Sequence, residues 1–383
     1  MTQEEIDQIE ISLNKAFRPH SPIEDPSYFF GRSEEKASLR RTVFASGQHA
    51  VIYGEKGAGK TSLARVSVAG SNRVNVFCEK DSTFSKVMRD LVNELRGNEW
   101  AELVFDYNGE SVSVAGSMVS LDNLTGNAVK RLLADKNLVV ILDEIDRLPS
   151  ETLRELGEFV KNVATDCPMV TIFLVGASDN EDDILKGHGS VYRNTKFIRL
   201  EKFKDITAVR EIANKGGEDL VLTFSDDAVS EIGHISDLYP YYVQLLCVSA
   251  ARQALLSSSD TIKPSHVLEG AQIAANEADN ASLRDLYDAS VLSAKSDVYK
   301  NIIWGLAKLD SSDELAIGAV AIAANSVSSK PISPQSAGAS MVRLAQGENS
   351  ILKARELGTK KTFYSFRHPL MKSYVRIRML LAN

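Results

Sequence analysis

Cysteine is scarce in this chain of 383 residues. Cys78, Cys167 and Cys247 lie far apart with no CxxC pair, which excludes a disulfide framework and a zinc knuckle. That usage is expected of a reducing, cytoplasmic setting. Long apolar runs are also missing. Leu138–Leu142 and Leu315–Ala324 fall well short of the ~20 residues a helix needs to cross a bilayer. The N-terminus, MTQEEIDQIE, is acidic and polar where a secretory signal is basic and then apolar. No low-complexity tract or internal repeat occurs, and with 44 % hydrophobic residues disorder is not expected. Basic charge is in deficit: 44 Lys/Arg face 51 Asp/Glu, a formal charge of −7. A protein that coats nucleic acid over its whole surface is therefore excluded. The six histidines (20, 49, 188, 234, 266 and 368) show no metal-ligand spacing.

What is present is unevenly distributed. Residues 281–383 carry 14 Lys/Arg against 8 Asp/Glu, a net of +6, which leaves −13 on residues 1–280. A mildly basic C-terminal unit thus follows a strongly acidic body. At ~150 residues per domain the length suggests two or three domains.

The hydrophobic pattern divides the chain further. Ile6, Ile9, Leu13 and Phe17 recur at helical spacing in an N-terminal helix, followed by Pro-containing turns up to Pro26. A charged helix is expected around Glu34–Phe44. From His49 onward, strands and helices alternate. HAVIYG, RVNVFCE, LVVILDE, VTIFLVGA and KFIRL read as strands, and Thr61–Ala69, Ser85–Leu95 and Glu151–Ala164 as the helices between. Unbroken Val/Ile/Leu runs in that alternation imply a five-stranded parallel sheet with helices on both faces. An insertion at Gly97–Ala128 contains LVFDYNGESVSV, whose alternation around Asn–Gly predicts a hairpin. After Lys204 the pattern is helical, at Ile206–Ala213, Asp226–Ile235, Tyr241–Leu256 and Pro264–Ala278. Three further helices (Val298–Leu309, Glu314–Val327, Pro334–Ala345) precede two β-like runs, Ser350–Leu357 and Thr362–Phe366. That order suggests a winged helix-turn-helix. The expected domains are a lead-in over 1–30, an α/β domain over 31–204, a helical unit over 205–280 and a winged helix over 281–383.

Gly54-Glu55-Lys56-Gly57-Ala58-Gly59-Lys60-Thr61 fits G-x-x-x-x-G-K-[ST] in full, between an apolar strand and a helix that continues with Ser62. The glycines let the backbone curl so that N–H groups point at phosphate oxygens, and the helix N-terminus adds its positive end. Lys60 would reach the β- and γ-phosphates, and Thr61 would bind Mg²⁺ through its hydroxyl. The third strand ends in Asp143 and Glu144. A carboxylate at the end of a neighbouring buried strand can hold Mg²⁺ across from Thr61, a role that suits Asp143, while Glu144 is placed to polarise an attacking water. Together the two motifs point to nucleoside triphosphate hydrolysis. The expected fold is that of a P-loop NTPase with a helical lid and a winged helix.

These motifs, in this order, resemble the AAA+ superfamily, and within it the bacterial ATPases similar to the Orc1/Cdc6 initiators and the STAND signalling ATPases. The resemblance is carried by Phe30–Gly31–Arg32, the phosphate loop, LDEID at 142–146, LVGASD at 174–179, HGSVYRN at 188–194 and SDLYPYYVQLL at 236–246. It implies ATP and Mg²⁺ as cofactors and a homo-oligomer with the ATP site between subunits. It implies that Asp179 or Ser178 orients the water and γ-phosphate, and that Arg193 acts as an arginine finger on the neighbouring subunit's nucleotide. It also implies that Pro240 and Tyr241 pack on the adenine opposite Gly31 and Arg32. Leu238 stands where the Gly-x-Pro motif of STAND proteins has glycine.

The C-terminal unit indicates the output. Residues 350–383 have a net charge of +7, with Lys360 and Lys361 at the expected wing tip and Lys353 and Arg367 nearby as phosphate contacts for duplex DNA. The insertion holds five acids and no Lys or Arg, so it suits a protein surface, whether a client or another subunit. Two readings follow. One is an ATP-dependent regulator that assembles and docks on DNA; the other is a STAND-like switch that binds proteins. A metabolic P-loop kinase has no use for Glu144 or Pro240.

Overall fold

The computed structural model describes residues 2–98, 103–178, 181, 192–274, 281–292, 297–309, 315–347, 350–357, 361–368 and 370–382. They form two compact units, Ser21–Glu201 and Met1–His20 together with Lys202–Asn383.

The first unit is built on strands β1 (His49–Gly54), β2 (Arg73–Phe77), β5 (Leu138–Asp143), β6 (Val170–Ala177) and β7 (Thr195–Leu200). They are parallel, in the order β2-β5-β6-β1-β7. Successive side chains leave a strand on opposite faces. Val51 and Tyr53 of β1 therefore join one core with helices α4 (Phe84–Arg96), α5 (Gly126–Leu133) and α6 (Ser150–Asp166). Ala50 and Ile52 join the other, beneath α2 (Ser33–Phe44) and α3 (Lys60–Ser67). Burial on both faces is why these strands read as continuous apolar runs. One expectation needs correcting: β5 is not the neighbour of β1, because β6 lies between them.

The insertion also differs from its reading. The expected pairing around Asn108–Gly109 is reduced to a single bridge, Phe105 to Val112. The ladder forms one turn later, between β3 (Ser111–Val114) and β4 (Ser117–Ser120). Its turn residues Ala115 and Gly116 both have positive φ, 50° and 82°, as a tight hairpin of this twist requires. Asp106 accepts from the amides of Glu110 and Ser111, which holds the Asn–Gly segment as a wider loop.

In the second unit, α1 (Gln3–Ala16) starts at a capping box, Thr2 with Glu5, and packs on α7 (Thr207–Leu220) and α9 (Pro240–Leu256). Helix α7 runs seven residues beyond the Ala213 end that its sequence pattern suggests. It continues through Gly216 and Gly217 because the ring of Phe17 occupies the place a side chain at Gly216 would need. Helices α8 (Asp226–Ser236) and α10 (Pro264–Ala274) complete the helical lid, with a short parallel pair, β8 (Thr223–Phe224) and β9 (Thr261–Ile262), at their N-terminal ends. Next come α11 (Ala281–Leu292), α12 (Val298–Lys308), β10 (Leu315–Ala316), α13 (Ile317–Asn325), α14 (Pro334–Leu344), β11 (Leu352–Leu357), β12 (Lys361–Phe366) and α15 (Met371–Leu380). The antiparallel order β10-β12-β11 behind three helices makes this a winged helix. Helix α15 has no counterpart in the sequence reading. Among the described residues no helix is long and apolar enough to cross a membrane, and all three cysteines are buried and free.

Candidate nucleotide-binding site

The C-terminal edge of the parallel sheet collects the motif residues. Gly54 ends β1 at φ 139°, where any side chain would run into the Leu200 carbonyl of β7. The loop then turns through Gly57 (φ 80°) and Gly59 (φ 89°), both in the region that favours glycine. A Cβ on Gly59 would meet nothing within 4 Å, so the loop keeps open space on that side. Gly59 is the N-cap of α3, and Lys60 and Thr61 open the helix. The Lys60 ammonium donates to the carbonyls of Gly54 (3.0 Å) and Glu55 (2.8 Å). Burial lowers its pKa, against the opposing pull of Asp146 and Asp143. Lys56 is exposed on the loop, and Ala58 is buried beneath it.

Register places the other strand ends beside this loop. Gly54 is level with Ala177 of β6, and Ser178 follows directly. Asp143 ends β5 with only 8 % of its surface exposed, and its Oδ1 accepts from the Glu144 amide at 2.9 Å. Glu144 itself has φ 57°, a left-handed conformation that is costly for a side chain of its type and recurs at functional sites. Its carboxylate pairs with Arg147, whose guanidinium lies 5.3 Å from the centre of the Phe77 ring.

The donor set fits a triphosphate with Mg²⁺. A half-buried lysine, a glycine loop at a helix N-terminus, the Thr61 hydroxyl and the Asp143 carboxylate are the groups this chemistry uses. Among the described residues no cluster of three or more His, Cys, Asp or Glu forms a separate metal site.

Several site residues have structural duties. Ser62 accepts from the amide of Ile23 at 3.0 Å, so its hydroxyl anchors the lead-in segment. Arg32 is 5 % exposed and donates to the carbonyls of Ala58 and Glu201; Gly31 before it has φ 70°. The Arg32 guanidinium thus ties the loop at Ala58 to the segment just after β7. Arg193 is exposed on the short helical turn before β7. Asp179 lies outside the described residues.

Two residues in this unit escaped the sequence reading. Asp146 accepts from the Ala177 amide at 2.7 Å, tying the turn after β5 to the end of β6. Gly176 makes room for it, since a Cβ there would lie 2.9 Å from Ile145. Tyr53 donates to Glu181 at 2.9 Å, and its pKa is pushed up to about 12 by burial and then by that carboxylate. Only the spacing LDEID hinted at Asp146.

In the other unit, Pro240 is the first residue of α9 and Tyr241 stacks edge-on against His20 and Tyr242. Leu238 has φ 64°, the backbone conformation that the glycine of Gly-x-Pro would take without strain. Among the basic candidates, Lys353 lies on β11 and Lys361 on β12, while Lys360 lies outside the described residues. Arg367 is exposed just after β12. Its guanidinium donates to Ser350 and to the carbonyl of Gly347, pinning the junction between α14 and β11.

Residues 45–185 match a family model described as an AAA domain. Among curated proteins no sequence matches this one significantly. Among the solved structures that are similar across nearly the whole chain, two serve as examples. A Walker-type ATPase of Pyrococcus abyssi aligns with a TM-score of 0.59 at 16 % identity, over 93 % of this chain and 99 % of that one. The ORC2 protein of Aeropyrum pernix, solved as ADPNP and ADP complexes, aligns with a TM-score of 0.53 at 15 % identity, over 96 % and 98 %. At these identities the likeness is one of fold.

Proposed function

We propose that this chain, whose residues 45–185 match a family model described as an AAA domain, is an ATP-hydrolysing regulator whose nucleotide state governs self-assembly and docking on duplex DNA. The observation that carries the first half is the phosphate loop itself, with the half-buried Lys60 bonded to its carbonyls and Asp143 at the edge of the same sheet. Gly54 to Thr61 would cradle the phosphates, and Thr61 and Asp143 would hold Mg²⁺. Glu144 would polarise the water once released from Arg147. Ser178 or Asp179 would orient it, and Arg193 would reach the nucleotide of a neighbouring subunit. Pro240 and Tyr241 would close on the base.

The DNA half is supported by the winged helix and by Lys353 and Lys361 on its hairpin. A second reading, the STAND-like switch that binds proteins, is favoured by one feature. Helix α13, IGAVAIAA followed by Asn325, is almost devoid of polar side chains, yet Ile322 is 76 % exposed and Val342 on α14 is 56 % exposed.

The experiment is nucleotide turnover and duplex binding measured on the same preparations. Lys60→Ala should abolish ATP binding, and Glu144→Gln should bind ATP without hydrolysing it. Wild-type turnover by Glu144→Gln would remove that residue from the mechanism. With Mg-ATP, affinity for duplex DNA should fall steeply with salt and weaken in Lys360/Lys361→Ala. No measurable DNA binding at low salt would leave the protein-binding switch as the reading.

A further inference from the structure

Within the lid and winged-helix unit, one buried carboxylate gathers three cations from distant parts of the chain. Asp237 is 7 % exposed and sits at the end of α8. Its Oδ2 accepts from Lys202 at 2.8 Å, and its Oδ1 accepts from Lys372 at 2.8 Å, with Arg376 at 3.4 Å. Lys202 belongs to the segment after β7, whereas Lys372 and Arg376 lie on α15. Burial alone would raise the Asp237 pKa, but Lys372 and Lys202 outweigh it, and the carboxyl is held below its usual range.

A surplus of buried positive charge needs further compensation, and helix ends supply it. Arg376 donates to the carbonyl of His234 in the last turn of α8, and to Ala307 (2.6 Å) and Leu309 (3.3 Å) at the end of α12. Ser373 adds a bond to the Ser236 carbonyl at 2.7 Å. The His234 and Ser236 carbonyls also accept from the amides of Asp237 and Tyr239, so α15 adds side-chain donors to the end of one helix of the lid and one of the winged helix at once. The same carboxylate residue begins a strained turn. Asp237 and Leu238 are consecutive left-handed residues, φ 49° and 64°, and Leu238 carries the cost of its Cβ there. The turn is held by Ser236, whose Oγ accepts from Leu238 N (3.2 Å), and by Phe203, whose amide donates to the Leu238 carbonyl (2.9 Å). It leads directly into Pro240 and α9.

We propose that Asp237 is a coupling node: it fixes the lid turn that presents Pro240 and Tyr241 and anchors α15, so the lid and winged helix change conformation only together. The use of this coupling in nucleotide control rests on the ATPase reading; the coupling itself does not.

Hydrogen exchange on the full chain without nucleotide tests it, comparing wild type with Lys372→Met, Lys372→Arg and Asp237→Asn. Lys372→Met should speed exchange about tenfold both in 234–243 and in 371–380, leaving the β1–α3 segment unchanged. Lys372→Arg should restore most of the protection. A change confined to 371–380, or none, overturns the proposal even if Asp237→Asn does not fold. Repeating the measurement with Mg-ADPNP separates the two readings. Failure to bind counts against the ATPase, while binding that alters only 234–243 counts against the coupling.

Discussion

His49 at the start of β1 shows how far a single side chain's environment can depart from its sequence appearance. It is fully buried, its Nδ1 accepts from the Ile172 amide at 3.0 Å, and its Nε2 lies 3.1 Å from the Val160 carbonyl. A carbonyl only accepts, so Nε2 carries the proton and one neutral tautomer is selected. Burial depresses its pKa from 6.5 to about 4. The unfolded chain therefore binds the proton more readily than the folded one. The stability His49 contributes is fully present above pH 6.5 and is lost as pH falls toward 4, up to about 3 kcal/mol. Urea unfolding between pH 7 and 4.5 should show a steeper loss in wild type than in His49→Gln. Equal slopes would remove His49 as the cause. As a bare residue it had no metal or catalytic spacing, and its burial between β6 and α6 was not readable.

At the scale of elements, close crossings depend on residues whose purpose is invisible locally. Helices α12 and α13 of the winged helix meet at Gly305, where a Cβ would lie 2.5 Å from the Ala324 amide nitrogen and 2.6 Å from the Ala323 carbonyl carbon. Both obstacles are backbone. Gly305→Ala should thus destabilise the winged helix by ~1–3 kcal/mol, although alanine favours helix. A melting temperature at or above wild type would show that the helices can separate at little cost. Most elements were legible: the strands HAVIYG and VTIFLVGA coincide with β1 and β6 residue for residue. The misses have tertiary causes. Helix α7 crosses two glycines because Phe17 fills the gap, and α15 went unread because its most informative residues, Lys372 and Arg376, are buried cations.

For the whole molecule the open matter is assembly. Arg193 is exposed on the turn before β7, and the proposed action on another subunit would need that exposure. Mixing Arg193→Ala with Lys60→Ala subunits should partly restore ATP hydrolysis, since each kind of subunit supplies what the other lacks. No rescue at any ratio counts against action between subunits. Charge at this scale also reads differently. The net +7 of residues 350–383 includes Lys372 and Arg376, which are buried and held at Asp237. Less of it faces solvent than the count implies.

The phosphate loop, the Asp143–Glu144 pair, the parallel sheet and the winged helix were all determined by local sequence. Each is specified by neighbours a few residues apart, through φ freedom, apolar periodicity and helix starts. Only the tertiary structure decided that β6 separates β1 from β5, that Arg32 ties Ala58 of the loop to Glu201, and that Asp237 joins three distant cations. Those outcomes depend on which surfaces meet after folding, and a charge reads the same in sequence whether it meets water or a buried partner.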